Sequence, residues 1–296
     1  MTPTDPAPTG PAQPGRAAVE RQFVDRGTDR IALHRYPSPA DTAPVALVLP
    51  AMGTPARFYR PLAESLGEAG FAAVVADLRG TGDSTPRPSR RSGYDYADLA
   101  DDVGAVIEAL KPDYADRRII LVGHSLGGQA GLLHVATTPD AGVDGVGLVA
   151  VALPYWRAYP ARRLGTLVFT QAIGAVGTLL RVWPGWAFGG RQARGVMRDW
   201  AETARTGRFP HLRGVDAEAA VARLTTPVLA VSVDGDAYTP HGTVDHTVSK
   251  LAKASVRRER LGTITAEGRP AHFAWVRSPS PITTLIKAWS EENTPS

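Results

Sequence analysis

Five near-continuous apolar runs constrain this chain more than any other feature. They are Val45 to Pro50 (VALVLP), Phe71 to Leu78 (FAAVVADL), Arg118 to Val122 (RIILV), Val146 to Leu153 (VGLVAVAL) and Pro227 to Val233 (PVLAVSV). Runs without polar alternation are what strands look like when helices cover both faces of a sheet. The segments between them have helical spacing: Leu62, Leu66 and Ala69 within Tyr59 to Ala69, and Leu99, Val103, Val106 and Leu110 within Tyr96 to Leu110. Leu126 to Ala136 continues the pattern. So do a helix from His241 to Lys253, a strand near Ser255 to Leu261 and a closing helix from Pro281 to Glu291. Ahead of them, Gln22 to Asp25 and Ile31 to Tyr36 read as a hairpin turning at Arg26-Gly27-Thr28-Asp29. The alternation predicts an α/β chain with a doubly wound, mostly parallel sheet.

At 296 residues the chain is one large domain or two small ones, long enough to bury a core without staples. It has no Cys, which excludes disulfides, thiolate metal sites, iron–sulfur clusters and a sulfur nucleophile. The 33 basic and 29 acidic residues leave a net charge of +4. Lys occurs only at 111, 250, 253 and 287, and the Arg pairs are scattered among acids, so no basic stripe suited to nucleic acid is expected. Met1 to Gly15 holds five prolines and no basic residue. Residues 1–18 are expected to be a disordered tail, since such a composition fits no secretory signal and offers little to bury.

Residues 19–153 and 216–296 then form the core, and residues 154–215 interrupt the alternation. That insertion reads as helical, with no convincing strand, and holds Trp156, Trp183, Trp186 and Trp200. Its place between sheet strands suggests a lid over their carboxyl ends, with these four Trp as candidate substrate contacts. Leu164 to Leu180 is 17 uncharged residues, short of the ~20 that span a bilayer, so no stable membrane insertion is expected and a cytoplasmic location is the default.

The RIILV run ends in Gly123-His124-Ser125-Leu126-Gly127-Gly128, a G-x-S-x-G between a buried strand and a helix. A sharp turn there exposes the serine above a helix N-terminus, whose amides and dipole favour a developing oxyanion. Ser125 is the candidate nucleophile.

On these residues the chain resembles an α/β-hydrolase from about Gln22 to the closing helix. Asp77-Leu78-Arg79-Gly80-Thr81-Gly82-Asp83-Ser84 is similar to the family's D-x-R-G-x-G-x-S turn, which is structural there. Pro50-Ala51-Met52-Gly53 followed by Phe58-Tyr59 resembles lid-bearing bacterial members related to monoacylglycerol lipases and serine aminopeptidases. The resemblance implies an acid and then a histidine after the serine. Its D-x-x-x-P register falls on Asp236, with Asp234 as competitor. Of seven histidines, His272 lies in a loop after the last strand, in a segment similar to G-H-F but with Ala271 before it. His34, His124, His134, His211, His241 and His246 are read as structural or surface residues. The implied oxyanion donors are the amides of Leu126 and Met52, the latter in a loop where Pro50-Ala51-Met52 replaces His-Gly-x.

Such a site would perform acyl transfer, with no metal and no organic cofactor. A carboxylic-ester hydrolase acting on a hydrophobic small molecule is the leading reading. A thioesterase, acyltransferase or cyclase with the same triad is the second, and a binding protein with a silent triad the third. The partners expected are the substrate and no nucleic acid, with a homodimer left open.

Overall fold

The computed structural model describes residues 18–293 except 115, 161, 162, 187 and 267. Of the expected 1–18 tail, residues 1–17 lie outside the described residues. The chain opens with the hairpin β1 (Glu20–Arg26) and β2 (Asp29–Arg35), followed by β3 (Val45–Leu49), α1 (Arg60–Glu68), β4 (Ala72–Ala76) and α2 (Tyr96–Leu110). Then come β5 (Ile119–His124), α3 (Leu126–Thr137) and β6 (Gly145–Val149). The insertion supplies α4 (Arg163–Leu179), the short pair β7 (Val182–Trp183) and β8 (Gln192–Ala193), α5 (Arg194–Thr206), and a second short pair β9 (His211–Leu212) and β10 (Val215–Asp216). The chain returns through α6 (Ala217–Arg223), β11 (Val228–Val233), α7 (His241–Val248), β12 (Val256–Leu261), α8 (Ala271–Ala274) and α9 (Ser280–Glu292).

Eight strands form one sheet in the order β1-β2-β4-β3-β5-β6-β11-β12. β1 and β2 are antiparallel at one edge, and β3, β4, β5, β6, β11 and β12 run parallel. The expected doubly wound sheet is present. β3, β4, β5, β6 and β11 are buried along their whole length, which explains the uninterrupted apolar runs. β12 is the opposite edge and reads VRRERL. Its Arg257 pairs with Glu292 and its Arg258 with Asp245, so charge guards the open edge.

Boundaries differ from expectation where backbone geometry intervenes. β6 stops at Val149 because Ala150 takes φ 51°, so the second half of the VGLVAVAL run is a buried crossover. α7 ends at Val248, five residues short of Lys253. The insertion was expected to lack strands but carries two minimal antiparallel pairs.

The insertion is tied to the core. α4 packs on α5, and Asp199 of α5 accepts the Tyr96 amide at the start of α2 (3.1 Å). Arg213 pairs with Asp98 and Asp101 on the same helix. The outer face of α4 exposes Leu164 (67%), Val168 (68%) and Leu179 (82%), and Trp186 is exposed as well (74%). Residues 145–198 contain no Asp or Glu and seven Arg. No helix among the described residues is long and apolar enough to cross a membrane.

Candidate active site

Ser125 stands between β5 and α3 with φ 51° and ψ −121°, a region that non-glycine residues enter only under constraint from their surroundings. The neighbouring glycines show that constraint. A Cβ on Gly123 would collide with the Gly128 backbone, and one on Gly127 with the carbonyls of Leu49 and Pro50. β3, β5 and the first turn of α3 therefore meet at a spacing only glycine allows. The serine is partly exposed into a cavity of about 360 Å³, whose lining also includes Ala51, Met52 and His272.

Asp236 follows β11 and is buried. Its carboxylate accepts His272 Nδ1–H at 2.7 Å, the amides of Tyr238 (2.8 Å) and Thr239 (3.0 Å), and the Thr239 hydroxyl (2.5 Å). Burial alone would raise its pKa. The bond from His272, the imidazole's charge and the Thr239 donors outweigh burial and hold it at about 2. Asp234 is half-exposed and bonds His241 Nε2 at 2.8 Å instead. His272 was expected in a loop; it sits in the short helix α8, behind Pro270, with its carbonyl accepting the Trp275 indole N–H at 2.9 Å. With Nδ1 committed to Asp236, Nε2 is the nitrogen left to face the cavity it shares with Ser125. Among the described residues Ser125 Oγ has no hydrogen-bond partner.

The loop after β3 is held by a short relay. Ala51 N–H donates to Tyr59 Oη (2.8 Å), and that hydroxyl lies 2.6 Å from His124 Nδ1. With the Tyr59 oxygen accepting from Ala51, Nδ1 is the acceptor for the phenol proton among the described residues, an arrangement that suits a neutral His124. Burial pushes that imidazole well below its ordinary value. The His124 ring also lies against that of His272, centroids 4.6 Å apart and planes tilted by 45°. Neither the Met52 nor the Leu126 amide has an acceptor among the described residues. The loop that lacks His-Gly is thus anchored through Tyr59 and His124, and its Met52 lines the same cavity as Ser125.

Of the four tryptophans singled out above, Trp200 lines the cavity and the other three do not. Trp183 is buried and donates to the Phe188 carbonyl (2.8 Å), Trp186 is exposed, and Trp156 lies under Arg157. The aromatic lining comes instead from Tyr159, Phe169, Phe188, Tyr238 and Phe273. Phe188 stacks on Trp200 at 4.9 Å and contacts Tyr238 at 5.8 Å, joining insertion and core across the cavity. Phe273 could have been read from its place beside His272. Phe169 and Phe188 carry no sequence signal that separates them from residues gluing the insertion down.

Three other histidines are bound elsewhere: His246 to the Gly207 carbonyl (2.8 Å), His241 to Ser232 and Asp234, and His134 beside Thr138 at the end of α3; His211 is exposed on β9. Among the described residues one His and carboxylate group, His34, Asp77 and Asp83, is compact enough for a cation. Its groups are already engaged. Asp77 accepts the Ala56 amide (2.6 Å) and the Asp83 amide (2.8 Å), and Arg21 reaches Asp83 (3.4 Å). Asp77 therefore ties the turn after β4 to the segment before α1.

Residues 41–261 match the family model described as "Serine aminopeptidase, S33". An AB hydrolase superfamily protein, YisY, of Bacillus subtilis is 39% identical over 100 residues, 34% of this chain and 35% of that protein. The match spans about a third of the length of the curated relatives. A soluble variant of monoglyceride lipase from Saccharomyces cerevisiae, solved with a substrate analogue, superposes with TM-score 0.70 at 14% identity, covering 97% of this chain and 98% of that one. A thioesterase domain from the curacin biosynthetic pathway gives TM-score 0.60 at 18% identity, covering 91% and 99%. These structures share the fold with this chain. With the family model covering most of its length, the chain belongs to the serine aminopeptidase (S33) family of α/β-hydrolases.

Proposed function

We propose that the protein is a serine hydrolase that cleaves a carboxylic ester of a hydrophobic small molecule through an acyl-enzyme on Ser125. The observation that carries this is the buried Asp236–His272 pair facing the same cavity as a serine held at φ 51°. His272 Nε2 takes the Ser125 proton as Oγ bonds to the ester carbon, and the amides of Met52 and Leu126 receive the oxyanion. The imidazolium, balanced by Asp236, then gives that proton to the departing alkoxide, which leaves as alcohol. Water repeats the sequence on the acyl-enzyme and releases the acid and free Ser125. No cofactor is assigned a role.

Substrate class is read from the lining. Phe169, Phe188 and Trp200 of the insertion, with Tyr238 and Phe273 of the core, surround the serine with apolar surface. The insertion is the lid of this reading, and its aromatic side chains favour an uncharged acyl or alcohol group over a charged peptide.

A fluorophosphonate tests the reading directly. It should label wild-type protein at Ser125 and leave folded Ser125→Ala unlabelled. A folded wild type that takes no label would leave only a binding protein of this fold. Esters, acyl-thioesters and acceptor alcohols assayed side by side should show ester hydrolysis ahead of thioester hydrolysis and transfer.

A further inference from the structure

Resting on the serine-hydrolase reading, we infer that the insertion sets the position of the Met52 amide, with Gln192 as a positioning residue that acts through Gly189. Met52 lies in the turn from Ala51 to Thr54, which is closed by the Thr54 amide donating to the Ala51 carbonyl at 3.1 Å. That carbonyl and the Met52 N–H belong to one planar trans peptide and point in opposite directions. A tilt of the turn therefore swings the Met52 N–H with it. Tyr59 holds one side of the turn, through the Ala51 amide (2.8 Å).

The other side rests on the insertion. Gly53 takes φ 67° and Gly189 φ 66°, and their backbones are in contact. A Cβ on Gly53 would collide with the Gly189 carbonyl, and one on Gly189 with the Met52 thioether. Backbone meets backbone at Gly53, with no flexible side chain between them to absorb a movement. Gly189 and Met52 both belong to the wall of the cavity that holds Ser125.

Gly189 is in turn held from within the insertion. Its carbonyl accepts Gln192 Nε2 at 2.7 Å, and the preceding Phe188 carbonyl accepts the Trp183 indole N–H. Trp183 and Gln192 are buried and pair across β7 and β8. The helix that follows, α5, is pinned to α2 through Asp199. Gln192 is not in the cavity wall, so its effect on a bound substrate runs through Gly189. Misplacing a catalytic group by about 1 Å can cost about a hundredfold in rate. An insertion that merely roofed the cavity would leave the Met52 amide where it is.

An alkyl trifluoromethyl ketone tests this. Ser125 Oγ bonds to the carbonyl carbon, the serine proton passes to His272 Nε2, and the former carbonyl oxygen becomes an alkoxide that accepts from the Met52 and Leu126 amides. Fluorine NMR of the adduct reads the pH at which that alkoxide is protonated, and hence how well the amides are aimed. Gln192→Met removes the donor to Gly189 at similar volume. It should raise the adduct's apparent pKa by about one unit and lower kcat for an ester about tenfold, with KM changed by less than about twofold. The trifluoromethyl carbinol of the same chain, which fills the cavity and forms no adduct, should bind both proteins with equal affinity. An unchanged adduct pKa in folded Gln192→Met overturns the inference and leaves the hydrolase reading standing. Weakened carbinol binding also overturns it, by making Gln192 a support of the cavity as a whole. A folded wild type that forms no adduct overturns the hydrolase reading and the inference with it. Gln192→Asn, whose amide falls one methylene short of Gly189, takes the place of Gln192→Met should that variant not fold, with the same outcomes.

Discussion

Asp234 and Asp236 stand two positions apart and differ chiefly in burial, and their chemistry follows from that. Asp236 gathers four donors in a site closed to water, whereas Asp234 meets His241 near the surface. Asp236→Asn should cost about 10²–10⁴ in kcat, the range of a general base that loses its support, and Asp234→Asn far less. Equal losses would put the orienting carboxylate at Asp234. The depressed pKa of Asp236 also has a stability consequence. Its contribution, on the order of 2 kcal/mol, is complete above the ordinary aspartate value and is lost as pH falls through about 2. Denaturant titrations from pH 5 down to pH 2 should show a flatter acid limb in Asp236→Asn than in wild type. Tyr59→Phe probes the relay. It strips the Ala51 amide of its acceptor, which costs about 1–3 kcal/mol. It should lower kcat by about tenfold with KM nearly unchanged, less than the 10²–10³ of a lost oxyanion donor. A raised KM at constant kcat would place Tyr59 in ground-state binding instead.

At the level of elements, β3, β5 and α3 form a joint with no spare volume. Gly127→Ala would push a methyl into two backbone carbonyls at the end of β3. A loss of about 1–3 kcal/mol is expected from such overpacking, and activity should fall more steeply than stability because the Met52 loop is displaced. Urea melts and labelling rates on one sample would separate the two effects. The same joint explains why so much was legible beforehand. Strands buried on both faces leave continuous apolar runs, and a strained serine turn demands glycines at fixed offsets, so the sheet and Ser125 leave local marks, whereas Asp236 and His272 were pointed to by the resemblance alone. The insertion leaves fewer. An aromatic residue that lines a cavity and one that fastens a helix have the same composition signature, so Trp183 and Trp186 drew attention while Phe169 and Phe188 did not.

The whole molecule divides its polarity unevenly. The core's edges are dressed with ion pairs, whereas residues 154–198 of the insertion have arginines and no acid, and α4 turns Leu164, Val168 and Leu179 outward. A net charge of +4 is modest cover for so localised a patch. The practical consequence is colloidal. The purified protein should adhere to hydrophobic resins in its native state and do so more strongly as salt suppresses the repulsion between the arginines. Leu164→Glu, Val168→Glu and Leu179→Glu combined should elute earlier from such a resin with an unchanged melting temperature, because none of the three side chains is buried.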